Sequence, residues 1–158
     1  MKEQIKIQSC KTLLSIVIIS ILAFSSCRVT YIPNYDANIS EQIDNTSKAV
    51  DKFYLLMLET TTSENEGRVF NKFAEQYVNI EVELNSLLNK NKIRPLNENS
   101  IRVCEITLQL WIKYKTEHKK DNTLGNGLIK LNRKTFSDLF YAMQVAEQGK
   151  TIVANPPQ

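Results

Sequence analysis

One imidazole and three thiols carry the most distinctive chemistry in this sequence: His118, Cys10, Cys27 and Cys104. A di-iron site in a helical bundle needs a Glu-x-x-His pair on each of two helices. One histidine cannot supply that, and Lys115 stands where half of the motif would need glutamate. His118 instead falls near the end of a helical segment beside Lys119 and Lys120, where a cation favours the helix dipole. Cys104 lies on an apolar helical stripe, where cysteine behaves as a small hydrophobe. Glu81 and Glu83 are spaced onto different faces of a helix. The chain has no Gly-x-Ser-x-Gly elbow, Walker loop or dinucleotide fingerprint. These residues predict a protein that is not an enzyme and holds no metal or cofactor.

Cys27 is different because of the segment before it. Lys2, Lys6 and Lys11 against Glu3 make the extreme N-terminus basic, and Leu13 to Phe24 is apolar apart from Ser15 and Ser20. As a helix those twelve residues are about 18 Å long, too short for a hydrocarbon core of about 30 Å. A basic region, a short apolar run and then small residues describe a secretory signal peptide.

Phe24-Ser25-Ser26-Cys27 resembles the lipobox of bacterial lipoproteins, in its Bacteroidota form, with phenylalanine where leucine is commoner. The resemblance implies that residues 1–26 are removed, that Cys27 carries a diacylglycerol thioether, and that it becomes the first residue. Two acyl chains at about 0.8 kcal/mol per buried CH₂ meet the requirement for stable anchoring. Nothing after Cys27 resembles an acidic surface-export signal, and Arg28 is not the aspartate associated with inner-membrane retention. Both points imply the periplasmic face of the outer membrane.

Taking three lysines and one glutamate from 20 basic and 17 acidic residues leaves 17 and 16, a net charge of +1. That is no electrostatic footprint for nucleic acid. With Cys27 acylated, Cys104 has no partner for an internal disulfide.

Apolar spacing sets the elements on which these residues sit. Residues 27–35 form a tether that begins with the lipidated cysteine. Behind Asp36 as N-cap, Ile39, Ile43, Thr46, Val50, Phe53 and Met57 recur at alternating four- and three-residue steps. Ser63 to Glu66 reads as a capping box opening a second helix with Phe70, Phe73, Tyr77, Ile80, Leu84 and Leu87 on one face. Pro95 separates it from a third helix with Asn97 as N-cap, Leu96 and Ile101 as a hydrophobic staple, and Ile101, Cys104, Leu108 and Trp111 as its stripe. The fourth helix carries Leu128, Leu131, Phe136, Leu139, Phe140, Met143 and Ala146 and stops at Gly149, with its continuity through Asn132–Thr135 left open by the less regular spacing. No segment alternates with period two. The prediction is an all-α, up-and-down four-helix bundle over residues 36–149 with a disordered tail at 150–158. The alternative is a three-helix core with the fourth helix crosswise. Aromatics at stripe positions, including Trp111, Phe53, Phe70 and Phe73, read as core rather than a ligand cavity. The same stripes can pair between copies, so a homo-oligomer is a variant of this architecture.

An up-and-down order puts the 89–96 connection at the tether end, so Lys90, Lys92 and Arg94 are expected to face anionic headgroups. At the far end, Glu59, Glu64 and Glu66 are expected beside Lys113, Lys115, Lys119, Lys120 and Lys130, a split surface suited to a protein partner. In size, anchor and helical character the chain resembles the small accessory lipoproteins of Bacteroidota type VI secretion systems. That resemblance implies docking of another envelope protein near the membrane. An immunity or exclusion lipoprotein that blocks a toxin or receptor is the alternative class, and a ligand carrier is a third.

Overall fold

The computed structural model describes residues 32–154. Residues 1–31, which hold the expected signal peptide, Cys27 and most of the expected tether, and residues 155–158 lie outside the described residues. Four helices succeed one another: α1 (Ala37–Thr60), α2 (Ala74–Lys92), α3 (Glu98–Asp121) and α4 (Asn126–Ala154). Each packs on its neighbours in sequence, and α1 packs on α4, which closes an up-and-down four-helix bundle. No strand occurs among the described residues.

The α1 stripe is buried at every predicted position, Thr46 included. Thr46 survives in the core because its hydroxyl donates to the Gln42 carbonyl at 2.7 Å. Asp36 caps this helix, accepting from the backbone N–H groups of Asn38 (2.9 Å) and Ile39 (3.3 Å). From α1, Phe53 meets Tyr77 of α2 and Trp111 of α3 edge to face, with ring centroids 4.7 and 5.5 Å apart. Trp111 continues to Phe136 of α4 at 5.4 Å, so one aromatic seam crosses all four helices. The Trp111 indole N–H donates to the Tyr77 carbonyl at 3.1 Å, which satisfies its only polar atom.

Several local expectations are corrected. Ser63 to Glu66 does not open α2: Asn65 and Glu66 adopt left-handed φ values of 50° and 55° in a loop. A 3₁₀ turn at Phe70–Lys72 comes next, and α2 starts behind Phe73 without a side-chain cap. The loop is held because Arg68 is drawn into the core, which a local capping box cannot compete with. At α3, Asn97 occupies the N-cap position but makes no capping bond, since its amide is used inside the bundle. Leu96 is exposed, so the staple with Ile101 is open. In α4 the buried stripe is Ile129, Asn132, Phe136, Phe140, Met143, Glu147 and Lys150, while Leu128, Leu131 and Ala146 face outward. Helix α4 also runs unbroken through Asn132–Thr135 and past Gly149 to Ala154. Residues 150–154 are therefore helical rather than part of a disordered tail, and Lys150 is buried in the bundle.

Candidate functional site

Two buried polar clusters occupy the two ends of the bundle. At the end where the chain enters α1, Glu147 and Lys150 lie one turn apart on α4 and are 1% and 5% exposed. The Lys150 ammonium donates to Glu147 Oε2 at 2.5 Å, Asn97 Oδ1 at 3.0 Å and Ser100 Oγ at 3.2 Å. Those three acceptors use all three of its protons. Glu147 also receives Arg94 at 3.2 Å on both oxygens and the backbone N–H of Asp36 at 2.9 Å. Arg94 reaches on to the carbonyl of Asn34. The Asn97 amide donates to the Asn91 side chain at 2.8 Å, and the Asn91 amide donates to the Leu87 carbonyl at 2.9 Å. The start of α1, the α2–α3 connection and the last turns of α4 thus meet on one carboxylate.

At the opposite end Arg68 is 2% exposed. Its guanidinium donates to the Thr61 carbonyl (2.8 Å), the Thr61 hydroxyl (3.1 Å), the Leu124 carbonyl (2.9 Å) and Asn126 Oδ1 (2.7 Å). All four acceptors are neutral, and the Thr61 carbonyl stands at the C-terminus of α1, where the dipole favours a cation. The Arg68 carbonyl accepts from His118 Nε2 at 2.8 Å, and the Tyr77 hydroxyl stands 3.1 Å from Nδ1. The carbonyl can only accept, so Nε2 carries the proton, and in the neutral ring Nδ1 is left to accept from the Tyr77 hydroxyl. His118 is fully buried, and burial holds its pKa below the ordinary value of 6.5, which favours the neutral imidazole. This corrects the expectation of a cation serving the helix dipole.

Cys104 is buried, as expected, and burial pushes its thiol up to about 12. Tyr54 and Tyr77 are likewise raised by burial. The Tyr54 hydroxyl and Asn132 Oδ1 make no hydrogen bond of normal geometry among the described residues. No group of three or more His, Cys, Asp or Glu among the described residues is placed to hold a metal.

The residues singled out at the tether end divide. Lys90 is exposed, and Lys92 is half exposed, 3.6 Å from Glu105. Arg94 is turned inward onto Glu147 with its side chain 13% exposed, so it is not a free cation for headgroups. At the far end Glu59, Glu64, Glu66, Lys119, Lys120 and Lys130 are exposed near the helix termini, with Lys119 over the Phe70 ring at 5.9 Å. Lys113 and Lys115 do not join them. They precede the end of α3 by eight and six residues, about 12 and 9 Å along its axis, and pair with Glu117 (3.9 Å) and Glu81 respectively.

Sequence reasoning missed Arg68, Asn91, Asn97 as a core amide, Glu147 and Lys150. A signal existed for two of them: the spacing Met143, Glu147, Lys150 continues the three- and four-residue steps of the α4 stripe, carried by charged residues. No helix among the described residues is long and apolar enough to cross a membrane. No family model, curated protein or solved structure matches this chain.

Proposed function

We propose that the protein is a non-enzymatic lipoprotein, acylated on Cys27, whose bundle docks another envelope protein close to the outer membrane on its periplasmic face. A specific form of this role is an accessory subunit of a secretion apparatus. The observation that carries the reading is the spacing between the lipobox-like cysteine and the capped start of α1. Asp36 lies nine residues beyond Cys27 and is held by Glu147, so acylation would fasten a rigid body to the bilayer on a short leash. The buried polar groups support the non-enzymatic part, because Lys150, Glu147, Arg68 and His118 are bonded to one another and to backbone rather than turned toward a substrate cleft.

The partner surface in this reading is the far end, with Glu59, Glu64 and Glu66 beside Lys119, Lys120 and Lys130. Mass spectrometry of the envelope form tests the anchor: a mature chain starting at an acylated Cys27 is expected, and release into the soluble fraction on Cys27→Ala. Any other N-terminus overturns it. Cross-linking and affinity purification from the envelope test the docking. The triple variant Lys119→Glu, Lys120→Glu, Lys130→Glu is expected to lower capture of co-purifying envelope proteins by about tenfold. Unchanged capture rules out the far-end surface. Recovery of one soluble toxin-like protein instead of envelope components supports the inhibitor class.

A further inference from the structure

The connection between α2 and α3 presents an apolar tip at the end of the bundle where the chain enters α1. Ile93 is 83% exposed and Leu96 49%, with exposed Pro95 between them. A solvent-facing connection ordinarily carries polar residues here, and Leu96 holds a left-handed φ of 59°, a conformation that glycine or asparagine adopts with less strain. Exposed Lys90 and half-exposed Lys92 flank the tip. The tip and the tether are locked together, because Arg94 inside the connection bonds both the Asn34 carbonyl and Glu147, and Glu147 also accepts from the Asp36 N–H. Asn34 is seven residues beyond Cys27, at most about 25 Å of extended chain.

We propose that Ile93, Pro95 and Leu96 insert into the interfacial layer of the bilayer, with Lys90 and Lys92 on anionic headgroups. Arg94 and Glu147 position this footprint relative to the tether. The inference rests on the anchored reading and deepens it: the lipid would set where the bundle is held, and the tip how it is oriented, with the far end directed away from the membrane. Two exposed aliphatic side chains with flanking lysines match an interface that is apolar beneath and anionic above. The short leash brings that interface within reach.

The test uses the mature acylated chain in vesicles of phosphatidylethanolamine and phosphatidylglycerol, with an environment-sensitive fluorophore on Ile93→Cys or, as the far-end control, on Glu64→Cys. Acylation of Cys27 and burial of Cys104 leave the introduced thiol as the reactive one. Blue-shifted emission and quenching by spin-labelled lipid at position 93, with water-like emission at position 64, is the expected result. A second arm removes the anchor with Cys27→Ser and measures sedimentation with the same vesicles. Weak binding is expected, reduced at least threefold by Ile93→Asp with Leu96→Asp, and by Lys90→Glu with Lys92→Glu only when phosphatidylglycerol is present. Both pairs change exposed residues, and thermal melts check that the variants remain folded. Water-like emission at position 93 on chains that mass spectrometry shows to be acylated overturns the proposal. So does a shift that tracks protein density on the vesicle rather than lipid quencher, which assigns the tip to contact between copies. Loss of acylation alone sinks the anchored reading and leaves the second arm to decide the tip.

Discussion

Glu147 neutralises two cations in a place that water does not reach. Arg94 and Lys150 both point at its carboxylate, and its side chain is 2% exposed. Removing one partner from a buried ion pair leaves the other charge uncompensated, which costs about 3–5 kcal/mol. Glu147→Gln is therefore expected to destabilise the bundle by about that amount, more than Lys150→Met, which leaves Glu147 still paired with Arg94. Urea midpoints at unchanged m-value measure the order. His118 yields a pH dependence of defined sign. Its folded pKa lies below 6.5, so the unfolded chain takes up a proton that the folded chain excludes. Stability is complete above about pH 6.5 and falls as the pH drops below it, ahead of the carboxylates near pH 4. In His118→Gln the slope between about pH 6.5 and 5 should flatten even though overall stability falls. Tyr54 offers the opposite case. Its hydroxyl is buried with Asn132 as a weak side-chain partner and no bond of normal geometry, so Tyr54→Phe should change stability by less than about 1 kcal/mol or raise it, because an apolar replacement removes a poorly satisfied group. A loss of several kcal/mol would mean that the hydroxyl is bonded after all.

Among the elements, α1 and α2 bury the stripes their periodicity requires, while α4 and the connections depart from it. The α1 and α2 stripes can be read from sequence because each three- or four-residue step lands on an apolar side chain or on a threonine able to bond its own helix. In α4 the stripe expected from spacing starts one residue out of place and ends too early, since Asn132, Glu147 and Lys150 occupy core positions with polar chemistry. Periodicity weighs side-chain type, and only a partner across the bundle makes a lysine a core residue. The loop between α1 and the 3₁₀ turn shows the same limit. Ser63 to Glu66 has the composition of a capping box, yet long-range bonds of Arg68 decide the path. Gly67 is required on that path for space: a Cβ there would stand 2.3 Å from the Thr62 carbonyl and 3.2 Å from that of Glu64. Gly67→Ala is expected to destabilise by about 1–3 kcal/mol, since backbone must move to accommodate it. Thermal unfolding measures the loss, and an unchanged midpoint would show that the loop can take another route.

The described bundle has two polar latches closing opposite ends of four amphipathic rods. The 19 residues of α2 alone put about 28 Å between them. Neither latch shares a partner with the other, so their contributions should be independent. Arg68→Met and Glu147→Gln are expected to add in the double variant to within about 0.5 kcal/mol, as distant sites do. A coupling of about 1 kcal/mol or more would show that the core transmits strain from end to end. The same polarity gives the bundle direction: an apolar tip beside the start of α1 at one end, a mixed-charge surface at the other.

Local sequence suffices to make this chain helical, to lay out four amphipathic rods in up-and-down order, and to begin the first at the Asp36 cap, because those properties depend on residues within a few turns of each other. The lipobox-like approach to Cys27 is also a local string, and it lies outside the described residues. Packing, and not sequence, turns Arg94 inward, favours the neutral form of His118, and makes Glu147 and Lys150 core residues. The physical reason is common to all of them: the charge state and direction of a polar side chain depend on acceptors and donors delivered from distant parts of the chain, and on the water their approach excludes.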